Sequence, residues 1–195
     1  VLTVVAIDYD LEFLEDGRTI DLISIGMVTD DGREYYAVNS DAPWDRIKNH
    51  PWLMRNVWPH LPLRGHKSGL VTVGGATEVQ LTTPGVVDTS DTQVRPHWVI
   101  ANEVRDFIQV TPDVELWANY GAYDHVALCQ LWGRMIGLPE GVPMFTHDIQ
   151  QEARRLGLGW DDLPQQETGE HNALADARHN RTVRRWLAER NQKGA

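Results

Sequence analysis

The sequence predicts an α/β fold in which a mixed sheet opens with an antiparallel meander and is flanked by helices. Three observations predict it. Apolar runs at 3–13 and 20–29 have the length and composition of strands, and Asp16-Gly17 and Asp31-Gly32 mark reversals before a third run at 34–38. From His97 onward, helical and strand periodicities alternate, as they do where helices cover a sheet. The chain is 195 residues long and 42% apolar, enough to bury a substantial core in one domain spanning 1–195.

Each element has a local reason. The run at 20–29 is apolar on both faces, so it is expected to be central in the sheet. Residues 43–58 suit short helices broken at Pro51, because proline lacks the amide that an interior turn needs. Residues 59–96 are rich in Gly, Thr, Val and Pro without helical period and read as an irregular insertion, with a hairpin of 71–73 and 78–81 around Gly74-Gly75. Ile100, Val104, Phe107 and Ile108 then recur at helical spacing. Residues 115–119 read as a strand, 123–136 as a largely buried helix, and 144–146 as a short strand. Asp148 is placed to cap a helix ending near Gly157, and the last helix is expected at about 172–190.

Composition narrows the functional classes. Net charge is −10, and only three of the eighteen basic residues are lysine, which disfavours a clamp that wraps duplex nucleic acid. A nuclease gripping a few nucleotides at a chain end remains compatible, because bound cations can neutralise phosphates locally. Cys129 has no second cysteine to pair with, in keeping with a reducing, cytoplasmic setting. The apolar start is short, has no basic leader and runs into Asp8 and Asp10, so neither a signal peptide nor a membrane span is expected.

The chemistry lies in carboxylates far apart in sequence. Asp10 and Glu12 are two apart in a strand and share a face, so both can reach one cation. Two like charges at an interior strand end are costly without such compensation. Asp113 and Glu115 repeat the spacing but begin a strand, where solvation suffices. Asp8 shares the face of Asp10 and either adds to the site or points to solvent where the strand bends or bulges; it is expected outside the site. Asp124 falls in the first turn of a helix, favourable by the helix dipole alone, yet just past a strand, where α/β proteins place ligands. His171 is the only one of the eight histidines with an aspartate five positions on, Asp176, a spacing that by itself is met by chance and also suits a histidine at a helix start with a surface aspartate. An imidazole beside several carboxylates is suited to accept a proton. A zinc site is not expected, with one cysteine and no paired-histidine motif. Arg178, Arg181 and Arg185 make a basic stripe, either a solvated face or a contact for a phosphate backbone.

Read in order, Asp-x-Glu, an internal Asp and His-x4-Asp resemble the DEDDh branch of the DEDD exonucleases. The chain is closer still to the actinobacterial 3′-exoribonuclease AS (polyadenylate-specific) group, through residues 11–26, 32–38, 121–133 and 171–178. The resemblance implies an RNase H-like fold and two Mg²⁺ or Mn²⁺ ions on Asp10, Glu12, Asp124 and Asp176, with His171 as general base. It implies 3′-to-5′ release of nucleoside monophosphates from single-stranded, adenylate-rich RNA, and a homodimer. Asp10 would bridge the ions, Glu12 and Asp176 would complete one, and Asp124 would serve the other. Phe13 is placed to stack on the terminal base, with core packing as the plainer role. Two departures stand out: Asp8 occupies an expected apolar or aromatic position, and residues 59–96 are longer than the family pattern.

Two rival functions follow from the same residues. The apolar strand ending in Asp8-Tyr9-Asp10 imitates a haloacid-dehalogenase-like phosphatase, although Glu12 replaces the expected Thr or Val. The chain could also be a non-catalytic RNA-binding module on an exonuclease-like fold.

Overall fold

The computed structural model describes residues 4–73 and 76–193. It opens with three antiparallel strands, β1 (Val5–Glu15), β2 (Ile20–Thr29) and β3 (Glu34–Asn39). Two short helices follow, α1 (Trp44–Lys48) and α2 (Pro51–Asn56), with Pro51 in the first turn of the second, where its missing amide costs nothing. Next come β4 (Leu63–Arg64), β5 (Lys67–Val73), β6 (Ala76–Thr83), β7 (Val86–Val87) and β8 (Val94–Arg95). The remainder is α3 (His97–Gln109), β9 (Val114–Ala118), α4 (Ala122–Cys129), β10 (His147–Asp148), α5 (Ile149–Arg155) and α6 (Ala173–Lys193).

The main sheet runs β10-β9-β1-β2-β3-β8. The meander β1–β2–β3 is antiparallel, whereas β9, β10 and β8 add on in parallel, so the sheet is mixed and β1 and β2 lie inside it. This arrangement is compatible with the RNase H-like fold. Alternation along β1 divides its residues between two faces. Ile7, Tyr9 and Leu11 enter a core with Ile100, Val104 and Ile108 of α3 and Leu128 of α4. Asp8 and Asp10 project from the opposite face, toward α6, which contributes Val183 and Leu187 to a second core with Ile149 and Ala153 of α5.

Three local expectations need correction. The helix expected over 123–136 ends at Cys129; a 3-10 turn follows and Gly133 adopts φ +79°, which breaks the helical path. Ile136 is consequently 92% exposed rather than buried. The strand expected at 144–146 forms instead at His147–Asp148. The hairpin within 59–96 is longer than expected, β5 with β6, and its Gly74-Gly75 link lies outside the described residues. Asp148 does cap α5, accepting from the Gln151 amide at 3.0 Å.

Candidate active site

The middle of β1, the start of α4 and the start of α6 meet at one pocket of about 360 Å³. Asp10, Glu12, Asp124, His171 and Asp176 all line it. The five residues singled out from sequence are thus gathered by the fold, and Phe13 lines the same pocket.

Backbone geometry fixes each of them. On β1, Asp10 pairs with Gly26 of β2, and a register shift follows Glu12. Gly26 is where α6 begins its crossing: a Cβ there would lie 2.3 Å from the Ala173 carbonyl carbon and oxygen. Only a glycine lets the start of α6 come this close to the sheet, and that approach carries Asp176 to Glu12. Asp124 reaches β1 directly, accepting from the Leu11 amide at 2.9 Å in a buried bond. Asp176 accepts from the His171 amide at 2.9 Å and from Gln166 Nε2 at 2.7 Å, so both its oxygens are held. His171 itself adopts φ +65°, unusual for a residue with a side chain, immediately before Asn172, whose side chain caps α6 through the Ala175 amide. Its Nδ1 lies 4.0 Å from Glu12 Oε1. Trp52 of α2 meets the imidazole edge-on, ring centroids 4.9 Å apart.

The electrostatics are those of an uncompensated acidic cluster. No lysine or arginine is among the described residues lining the pocket. Burial, reinforced by Asp124, Glu12 and Asp176, holds the Asp10 carboxyl well above its ordinary range. Burial and the Asp176 charge push Glu12 up to about 8. Asp124 is pushed up to about 7, burial again outweighing the stabilising Leu11 amide. Glu12, His171 and Asp176 offer ligand atoms within 4.8 Å of one another. A set of carboxylate oxygens with one imidazole suits a hard divalent cation such as Mg²⁺ or Mn²⁺, which would relieve this repulsion.

Asp8 lies apart from the pocket. It is fully buried, neither part of the pocket nor turned to solvent, and its two oxygens take the Arg184 guanidinium at 2.8–3.1 Å. Burial still lifts its carboxyl to about 6. A nucleophile engaged in this way fits poorly with the phosphatase alternative. The arginine stripe is likewise committed within the fold. Arg178 holds Glu34, Arg181 donates to the Thr29 carbonyl at 3.0 Å, and Arg185 donates to the Asp30 carbonyl at 2.6 Å. It fastens α6 to Glu34, Thr29 and Asp30, while the side chains of Arg178 and Arg185 stay half exposed.

Several pocket residues had no sequence signal. Gln166 and Trp160 come from a segment without periodicity or motif, and nothing in the sequence links Trp52, which meets the His171 ring, to the site. Asn180 could have been found: it is one turn beyond Asp176 on the same helix face, and its amide donates to the Tyr9 carbonyl at 3.1 Å.

Comparison with known proteins bears on what this pocket does. The model of the Rv2179c-like 3′-5′ exoribonuclease domain family matches residues 81–187. Two curated Mycobacterium tuberculosis proteins, 3′-5′ exoribonuclease Rv2179c of strain H37Rv and 3′-5′ exoribonuclease MT2234.1 of strain CDC 1551, are each 38% identical over 177 residues. Those alignments cover 87% of this chain and 85% of each relative. The family match spans the segments that supply Asp124, His171 and Asp176 to the pocket, and the chain belongs to the Rv2179c-like family of 3′-5′ exoribonucleases.

Proposed function

We propose that the chain is a DEDDh-type 3′-to-5′ exoribonuclease that releases nucleoside 5′-monophosphates from single-stranded RNA at the acidic pocket. The observation that carries this is the convergence of Asp10, Glu12, Asp124, Asp176 and His171 on a pocket lined, among the described residues, by no lysine or arginine. Asp10, Glu12, Asp124 and Asp176 would hold two divalent cations, Mg²⁺ or Mn²⁺. When bound, such ions polarise a scissile phosphate and offset the repulsion among the carboxylates.

The chain's own residues do the rest. His171 is the general base, taking a proton from the attacking water at the pocket mouth, where its ring is partly exposed. The His171 amide and Gln166 fix the orientation of Asp176, and the Leu11 amide fixes Asp124. Phe13, half-buried at the pocket wall, offers a ring face to the terminal base. The resemblance to the polyadenylate-specific group supports a preference for adenylate and a homodimeric assembly. The single cysteine supports a cytoplasmic setting, and no helix among the described residues is long and apolar enough to cross a membrane. Residues 1–195 act as one domain in this reading, with 59–96 as an insertion.

The test is incubation with 5′-labelled oligoadenylate, matched RNAs of other sequence and matched DNA, with Mg²⁺, Mn²⁺ or chelator. A ladder receding from the 3′ end, present with cation and absent with EDTA, is expected. Failure to shorten any of these strands with either ion would defeat the reading.

A further inference from the structure

Next to the acidic pocket lies a second groove of about 610 Å³, lined by Tyr120, Tyr123, Gln150, Arg154 and Trp160 among others. The two are continuous. Trp160 lines both, and Phe13 of the acidic pocket stacks on Tyr123 of the groove with ring centroids 6.4 Å apart and planes 19° from parallel. Tyr120 and Trp160 form a second stacked pair at 6.5 Å and 27°. Two stacked ring pairs therefore link the linings of the two pockets.

These rings are not core. Tyr120 is 62% exposed, Tyr123 57% and Trp160 50%, and Tyr120 stands out from a left-handed backbone at φ +53° that side-chain-bearing residues seldom adopt. Arg154 supplies a free cation. Among the described residues its side chain has no ion pair or hydrogen bond, whereas the stripe on α6 is fully engaged. Asp148, also in the groove, spends its oxygens on the Gly121 and Gln151 amides.

We infer that this groove is a second nucleotide subsite, in which bases next to the one in the acidic pocket stack on Tyr120, Tyr123 and Trp160 while Arg154 meets a phosphate. The inference rests on the exoribonuclease reading of the acidic pocket. A single strand whose end occupies that pocket must leave it along the surface. The contiguous channel carries ring faces that accept any base and an uncommitted positive charge, which is the chemistry that holds single strands. The groove sets affinity for chains longer than one nucleotide and contributes nothing to bond cleavage.

The experiment compares Tyr120→Asn, which tolerates the left-handed backbone without the ring, Tyr120→Phe and Arg154→Gln with the unaltered protein. KM and kcat are measured on a labelled tetra-adenylate, and product inhibition by adenosine 5′-monophosphate reports on the acidic pocket alone. Tyr120→Asn is expected to raise KM about tenfold with kcat and the inhibition constant unchanged, because stacking lost equally from ground and transition states appears in KM. Tyr120→Phe should match the unaltered protein, and Arg154→Gln should raise KM and flatten its dependence on salt. Unchanged KM in both Tyr120→Asn and Arg154→Gln, with turnover intact, overturns the subsite. So does a parallel change in kcat or in inhibition by the monophosphate, since the effect would then lie in the acidic pocket. A shift in sedimentation with KM unchanged would make the groove a contact between copies of the chain, again overturning it. If the unaltered protein shortens no RNA at all, the exoribonuclease reading fails first and takes the subsite with it.

Discussion

His171 is held at the mouth of the acidic pocket by a left-handed backbone, a hydrogen bond from its amide to Asp176 and an edge-on contact with Trp52. Those restraints orient a proton acceptor, so His171→Ala should lower kcat by roughly 10²–10⁴-fold, the usual contribution of a positioned general base. Divalent-ion binding, followed by calorimetry, should survive, because the four carboxylates remain. Affinity lost together with turnover would instead make the imidazole a ligand, since its ring lies close enough to Glu12 and Asp176 for that role. Asp8 and Arg184 make the opposite kind of contribution. Their side chains are 0% and 12% exposed, and removing one partner strands a buried charge. Arg184→Met should therefore cost about 3–5 kcal/mol in urea denaturation, and Asp8→Leu added to it should recover much of the loss. An Arg184→Met protein as stable as the parent would remove the ion pair from the account of the fold. At this scale the carboxylates and histidine were legible from spacing and residue type. Asp8 was legible as a residue outside the site but not as a buried partner, because nothing local marks an arginine 176 positions away.

Gly26 decides how α6 meets the sheet. Its absent side chain leaves room for the Ala173 carbonyl, and the helix start then delivers His171 and Asp176 to Asp10 and Glu12 in the middle of β1. Gly26→Ala should force the helix outward. Overpacking of this kind costs about 1–3 kcal/mol, and an ångström of misplacement at a reacting centre can cost about 10²-fold in rate. Circular dichroism would show a folded protein, and the labelled-RNA assay a large loss of kcat. A variant with the parent's kcat would show that α6 relaxes without moving the site. The meander, α3, α5 and α6 were readable from sequence because period, caps and turn residues agreed there. The path after Cys129 was not, since a run of apolar residues looks the same whether it is buried or exposed. Only the left-handed Gly133 distinguishes the two.

Across the whole molecule, a chain of net charge −10 concentrates several of its carboxylates in a pocket that, among the described residues, no lysine or arginine lines. Glu12 and Asp124 are held at about 8 and about 7 in the folded state, and Asp10 is also raised, against about 4 for these groups in an unfolded chain. The folded, metal-free protein thus binds more protons than the unfolded chain between about pH 4 and 8. Its stability from these groups is fully present at the acid end of that range and falls as pH rises through it. A divalent cation binding the ionised carboxylates reverses the trend, adding about 2.7 kcal/mol at a hundredfold excess over its dissociation constant. Thermal melts with Mg²⁺ or with EDTA should therefore separate more at pH 8 than at pH 5.5. In an Asp10→Asn, Asp124→Asn double variant the separation should largely close. Equal separation at both pH values would mean that cation binding is not linked to the ionisation of these carboxylates. The charges on the rest of the surface titrate identically with and without Mg²⁺, so the difference between paired melts isolates the pocket from the −10 background.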